Sequence, residues 1–489
     1  MKKPDRAANP NILLIVSDQH RLDCVGRSND YPVSTPFLDG LAAEGAWFPS
    51  AYTPIPLCVP ARQSLLTGQR PETTGGLWNY DLASQIPALD PSSYSWPREL
   101  QRLGYRSQYV GKWHVNPDHD PTHFGYDSYV PLEAYARWRA SHHPDSPSPD
   151  GWFSGTDTVP TADSRTHWLA DQTSAFIADA SRGDRPWHAR LDFLEPHLPC
   201  QPTQEYADRY PPESVPEWRD FADPLIDKPY IQRQQLVNWG VEDYTWEDWA
   251  PSVARYYAII AQMDNAIGSV LQSLEKAGVA EDTLVIYTTD HGDMGGSHRM
   301  MDKHYVMYDS VVRVPLIMRW PGRIAGDSVV EAFAYNTLDL PPTISSITGI
   351  PAPVAAHGAA LFESGRSTLD PSAEAASREQ VVSTYNGQQF GLFTQRMIRN
   401  HTWKYVWNPT DVDELYELQT DPNEFVNRIA DEGCGEVLAE LRRRLYDELI
   451  KDGDRMVMNE WMARELLEGR KLATRDPAAL RPNRGSEFV

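Results

Sequence analysis

The sequence predicts an α/β protein, a mostly parallel sheet flanked by helices, with a smaller α+β domain following it. Three observations carry this reading. Short apolar runs alternate with helical patterns through the first two thirds of the chain. From about Ala375 the pattern changes to closely spaced short strands, and 489 residues exceed what one small core needs.

In chain order, residues 12–17 (Ile-Val-rich and bounded by polar residues) read as a buried strand, and 36–44 as a helix opened by Pro36. Residues 97–103 repeat that helix signal before a strand at 106–110, and a helix at 163–180 precedes a strand at 188–193. The clearest helix spans 252–276, where Ile259, Ile260, Met263, Ile267, Val270 and Leu271 mark one apolar face and Gly278 stops it. A strand at 284–289 follows. Beyond Ala375, residues 380–385, 390–399 and 402–407 read as antiparallel strands and 436–451 as an amphipathic helix. Residues 201–251, rich in Pro, Trp, Asp and Tyr, lack periodicity and are expected to form a long loop or lid. The expected division is a catalytic α/β domain at 1–374 containing that insertion, a sheet-plus-helix subdomain at 375–455, and a tail at 456–489 that turns polar after Leu467.

Composition narrows the function. A net charge of −23, with no long run among the 45 Lys and Arg residues, argues against nucleic acid. A few focused cations can still make one pocket attractive to a small anion. No run is long enough to span a membrane, and the apolar run ending before Asp18 is too short for a signal peptide. Cys24, Cys58, Cys200 and Cys434 show no disulfide spacing, so the expected location is cytoplasmic. Asn400-His401-Thr402 is read as an ordinary surface triplet.

Each of the four strands in the first part ends in a polar cluster: Asp18-Gln19-His20, Gly111-Lys112-Trp113-His114, Glu195-Pro196-His197 and Asp290-His291-Gly292-Asp293. Ligands of open α/β sheets bind beyond the carboxyl ends of the strands, so these clusters are expected to converge. Lys112 and His114, two apart on an extended segment, would face one cavity while Trp113 points inward. Cys58-Val59-Pro60-Ala61-Arg62 precedes Leu65-Leu66-Thr67-Gly68, which places Cys58 at a helix N-terminus where an anion is favoured, with Arg62 one turn on.

This cysteine segment resembles the signature of the formylglycine-dependent sulfatases, relatives of alkaline phosphatase. Other features similar to that family follow in order: Asp18, Thr35-Pro36, Leu38-Asp39, Gly111 to His114, Pro196-His197, Asp290 to Gly292, Lys303 with Arg313-Val314-Pro315, and Glu414-Leu415-Tyr416 with Asp421-Pro422. The resemblance implies an alkaline-phosphatase-like fold and a sulfate monoester as substrate. It implies an aldehyde made from Cys58 by a formylglycine-generating or anaerobic sulfatase-maturing enzyme. Asp18, Asp290 and His291 would bind one divalent metal together with the side chain at 58, with Gln19 as a further ligand. Arg62 and Lys112 would hold the hydrated aldehyde, His114 would bond to one of its hydroxyls and serve as base, and His197 and Lys303 would contact the sulfate and the leaving oxygen.

Gln19 and His291 depart from the commonest pattern, which has Asp and Asn there. An imidazole in the donor set places manganese beside calcium as the expected ion. The Asp-Gln and Asp-His pairs also resemble phosphonate monoester hydrolases and phosphodiesterases, which makes phosphorus esters the alternative substrates. A non-catalytic metal- and anion-binding protein with unmodified Cys58 is the reading from a different class, and retention of every expected polar residue argues against it. Trp218, Trp239, Trp246 and Trp249 either stack on a sulfated sugar or pack within the insertion. His20, His298 and His304 are read as supporting or surface histidines. The C-terminal helix and tail are candidate contacts of a homo-oligomer.

Overall fold

The computed structural model describes residues 9–80, 85–146, 151, 153, 155–363, 370–387, 389 and 391–469. Eight strands form the large sheet: β1 (Asn11–Asp18), β2 (Ala46–Trp47), β3 (Arg106–Gly111), β4 (Ser128–Pro131), β5 (Trp187–Pro196), β6 (Thr283–Thr289), β7 (Leu316–Arg319) and β8 (Ser328–Val329). Their order is β4-β3-β5-β1-β6-β7-β2-β8. β1 pairs in parallel with both β5 and β6, whereas β7 runs antiparallel to its neighbours β6 and β2.

The register explains the apolar run that marks β1. Leu13 and Ile15 face a core built with α1 (Pro36–Ala43), α4 (Arg165–Ala180) and α6 (Trp246–Ala277). Ile12, Leu14 and Val16 face the opposite core, where Leu65 of α2 (Cys58–Thr67) and Trp96 and Leu100 of α3 (Trp96–Arg102) pack. A central parallel strand is covered on both faces, so it reads as a continuous apolar segment. Each such side chain contributes about 1.5–3 kcal/mol through burial.

α6 begins at Trp246, ahead of the expected residue 252, and runs for 32 residues with Pro251 inside it. The Thr245 and Asp248 side chains form a reciprocal capping box that satisfies the first free amides, so the helix starts before the proline that looks like a boundary. The expected loop or lid at 201–251 is likewise corrected. It carries α5 (Tyr230–Trp239) and the first turn of α6, and it is packed into the molecule. Trp218 and Trp249 are buried, and Arg21 lies 4.1 Å over the Trp218 ring, so these two indoles pack internally and are not free to stack on a sugar. Trp246 and Trp239 are half-buried, the former edge-on to Trp218 and Phe221.

A second sheet, fully antiparallel, contains β9 (Val381–Gly387), β10 (Phe393–Arg399), β11 (Trp403–Trp407) and β12 (Glu414–Glu417) in that order. One face packs on Leu441, Leu445 and Leu449 of α7 (Gly435–Lys451). Val381, Tyr385 and Met397 on the other face pack against Leu57, Ala61 and Tyr305, directly beside the start of α2. The expected tail from 456 contains α8 (Glu460–Glu468), whose Leu466 is buried in the core shared with α7. Its polar part, 470–489, and residue 390 of an expected strand lie outside the described residues. Among the described residues no helix is long and apolar enough to cross a membrane.

Candidate active site

The sheet delivers the expected residues to one place. β1 ends at Asp18, and Gln19 turns the chain with a left-handed φ of 69°. Neighbouring β6 ends immediately before Asp290 and His291. Cys58 occupies the first turn of α2, which ends on Gly68 at φ 72°. Leu57 has no side chain able to cap that helix, and Asn79 supplies the acceptor, its Oδ1 taking the Val59 N–H at 3.1 Å.

Asp18, Cys58, Asp290 and His291 are all buried, with one ligand atom from each lying within 4.8 Å of the others. The Cys58 Sγ stands 3.2 Å from His291 Nε2 and 3.8 Å from Asp18 Oδ1. His291 Nε2 is 3.7 Å from Asp290 Oδ1 and 4.0 Å from Asp18 Oδ1. His291 Nδ1 donates to the Gly292 carbonyl at 2.9 Å, which leaves Nε2 turned to the cluster. Two carboxylates, an imidazole of fixed tautomer and the side chain at 58 therefore fit a divalent cation. Gln19 is present too, but its amide oxygen accepts from Lys303 Nζ at 3.1 Å and its backbone N–H donates to Asp290 Oδ1.

Cations surround the cluster. Lys112 Nζ lies 2.5 Å from Asp18 Oδ2, and only 12% of its side chain is exposed. Burial pushes the Cys58 thiol up, but Lys112, Lys303, His291 and a hydrogen bond from His114 together hold it well below the usual thiol range. Burial and Cys58 push Asp18 up, and Lys112, His197 and Arg62 outweigh them to hold it below the ordinary carboxylate range. Burial lowers His291, whereas Asp290 and Cys58 raise it further, to about 9. A cation entering the cluster would displace that proton.

Arg62 differs from its expected role. It is completely buried, and it bonds to Asp290 Oδ2 (2.9 Å), Asp18 Oδ2 (3.0 Å), Asp192 Oδ2 (2.7 Å) and the Lys112 carbonyl (3.2 Å). Its guanidinium thus stands behind the carboxylates and not on the side chain at 58. The reason is the cost of leaving buried carboxylates unpaired.

Lys303 and His197 also lie beside the cluster. Lys303 Nζ is 3.0 Å from His197 Nε2 and 3.3 Å from Asp302 Oδ1, and His197 Nδ1 donates to the Leu198 carbonyl at 2.6 Å. His197 Nε2 therefore accepts from a cationic Lys303. Burial lowers Lys303, but Asp302, Cys58, Asp18 and Asp290 raise it above its ordinary value. His114, at φ 47°, leaves the extended conformation expected of its segment, and its Nδ1 is buried without a hydrogen-bond partner.

The three other histidines next to the motifs, His20, His298 and His304, are buried rather than superficial. His20 contacts the Tyr287 hydroxyl (2.6 Å), His298 contacts Asp223 (2.5 Å) and stacks on Tyr308, and His304 bridges Asp302 (3.1 Å) and the Tyr385 hydroxyl (3.1 Å). Sequence reasoning missed Arg190, Asp192 and Asp302. The first two had a signal: opposite charges two apart inside an apolar strand share one face.

The fold and site fit a hydrolase of anionic esters, with a buried cysteine on the first turn of a helix, a metal-suited donor cluster and two cationic side chains around it. The chain belongs to the sulfatase family, whose model matches residues 10–350, and is a sulfuric ester hydrolase. A model described as N-sulphoglucosamine sulphohydrolase, C-terminal, matches residues 296–451. An uncharacterized sulfatase of Escherichia coli strain K12 is 28% identical, the match covering 93% of this chain and 90% of the relative. An ulvan-active sulfatase of Formosa agariphila is 26% identical, with 93% and 84% covered. Among solved structures, phosphonate monoester hydrolase of Agrobacterium radiobacter superimposes with a TM-score of 0.77 at 25% identity, covering 91% of this chain and 96% of that one. The expected architecture of a large, mostly parallel sheet with a smaller antiparallel one is borne out.

Proposed function

We propose that this enzyme hydrolyses a sulfate monoester carried on a carbohydrate, with formylglycine made from Cys58 and one divalent cation, calcium or manganese, held by Asp18, Asp290, His291 and the side chain at 58. The observation that carries the proposal is the placement of Cys58, buried at a helix N-terminus between that donor cluster and the cations Lys112 and Lys303. Cys58 is only 1% exposed, so a maturation enzyme has to reach it before the chain closes over it.

A hydrated aldehyde at position 58 would supply two hydroxyls, one to attack sulfur and one whose loss of a proton would release the sulfate by elimination. A cation held by Asp18, Asp290, His291 and the side chain at 58 would lower the pKa of an oxygen beside it and polarise the ester. The chain's own residues do the rest. Lys112 neutralises Asp18 and faces the nucleophile, His114 is placed at position 58 to take a proton, and Lys303 with His197 stands where the leaving oxygen needs one. The raised affinity of Lys303 for its proton keeps it charged until the more basic leaving alkoxide takes that proton.

The carbohydrate part is supported by the likeness to an ulvan-active sulfatase. The second reading, a phosphonate monoester hydrolase, is favoured by the structural match to such an enzyme and by Gln19 and His291. Rates on paired aryl sulfate and aryl phosphonate esters test the choice. Faster turnover of the sulfate is expected, and dominance of the phosphonate would reverse it.

A further inference from the structure

Behind the donor cluster lies a buried carboxylate to which no role has yet been given. Asp192, near the end of β5, is fully buried. Its Oδ2 accepts from Arg62 Nη1 at 2.7 Å and from Arg190 Nη2 at 2.8 Å, its Oδ1 accepts from Arg190 Nε at 2.8 Å, and the Tyr109 hydroxyl lies 2.7 Å from Oδ2. Arg190 is itself buried and lies 4.9 Å over the Tyr109 ring. Charges therefore alternate inward from the cavity: Asp18 and Asp290, then Arg62, then Asp192, then Arg190.

The same residue fixes the neighbouring strand. The Asp192 carbonyl accepts the Lys112 N–H at 2.9 Å. A Cβ on Gly111 (φ 103°) would stand 1.9 Å from that carbonyl oxygen, so the close approach that seats Lys112 requires glycine there. Arg62 Nη1 also reaches the Lys112 carbonyl. Asp192 thus anchors both cations that touch Asp18.

The consequence lies in which oxygens are left free. Arg62 engages Oδ2 of Asp18 and Oδ2 of Asp290, while Oδ1 of each is the atom turned toward His291 Nε2. Arg62 can hold that pose because Nη1 is tied from behind. Without Asp192 only the 3.2 Å bond to the Lys112 carbonyl would oppose its movement toward the metal-facing oxygens, where a guanidinium would compete with a cation.

We propose that the Asp192 side chain is a positioning group for the metal pocket, acting through Arg62 to keep Oδ1 of Asp18 and of Asp290 available to a divalent ion. This rests on the metal-dependent reading above. The test is calorimetric titration of the chelator-stripped full chain with Mn²⁺ and with Ca²⁺, for wild type, Asp192→Asn, and the double variant Arg190→Gln/Asp192→Asn. The double variant removes one charge of each sign and guards against misfolding of the single one, and melting in chelator confirms that each is folded. Both variants are expected to bind more weakly by about 10- to 100-fold, the usual range for residues that orient metal ligands. Unchanged affinity in a folded variant would overturn the inference and leave the metal reading standing. A wild-type chain that binds neither ion would overturn the metal reading and this inference with it.

Discussion

The floor of the site and its Lys303 wall are built by different means. Asp18, Asp290 and Cys58 sit at the ends of neighbouring parallel strands and on the first turn of a helix, and Arg62 ties the two carboxylates to a third. Lys303 rides on a loop in which His298, Arg299, Asp302 and Tyr305, none of them glycine, all have positive φ between 47° and 66°. Such conformations are costly for L-residues and persist only where surrounding contacts enforce them. Here the enforcement comes from His298 on Asp223 and Tyr308, and from Asp302 on His304, which reaches Tyr385 of the second sheet. The floor is thus fixed by regular structure and charge pairing, and the wall by strain held from the insertion at Asp223 and from the C-terminal sheet at Tyr385. The nucleophile and the leaving-group residues can therefore be damaged separately.

The largest expected effect is at the floor. Cys58→Ser lacks the second hydroxyl, so it should accumulate a sulfated serine ester and show no steady turnover, read by intact-protein mass and a turnover assay. Sustained multiple turnover would sink the aldehyde mechanism. Next, Arg62→Ala leaves three buried carboxylates without their shared cation. A loss of about 3–5 kcal/mol in denaturant unfolding is expected, and a near-neutral result would mean that charge pairing does not hold the floor together.

The wall should behave otherwise. Lys303→Met should leave the fold intact and lower kcat by roughly 10²–10⁴-fold, the range for a lost proton donor. The loss should be smallest for aryl sulfates with good leaving groups. An equal loss for all leaving groups would assign Lys303 to binding alone.

The smallest effect lies outside both regions and serves as their reference. Asp264 caps the start of α1 by accepting from Phe37 N and Leu38 N, and burial raises its pKa to about 7. A carboxyl with a raised folded pKa contributes stability when protonated, fully present below its unfolded pKa of about 4 and lost as pH rises through the folded value. Wild type should therefore lose stability relative to Asp264→Asn between about pH 4 and pH 7. Parallel pH profiles would remove that assignment.

The floor was far more legible in the sequence than the wall. β1, β3, β5 and β6 are short apolar runs closed by polar clusters, a pattern that specifies both a buried strand and the end at which ligands bind. The Cys58 helix was likewise marked by Pro60 and Gly68. Side-chain partners were not legible: Arg62 looked like a contact of the nucleophile, and only the structure shows it facing Asp18, Asp192 and Asp290. The strained loop leaves no sequence sign because its positive φ values fall on His, Arg, Asp and Tyr instead of glycine. The insertion misled for a related reason. Its Trp218 and Trp249 are buried by long-range packing, which local periodicity does not record.

Whether Cys58 supplies an aldehyde nucleophile can be read by mass spectrometry of the peptide containing Cys58 from protein made with an active maturation enzyme. The account predicts that the peptide carries an aldehyde, trappable by a hydrazine reagent, in proportion to sulfatase activity across preparations. Full activity in preparations whose Cys58 remains entirely thiol would contradict it.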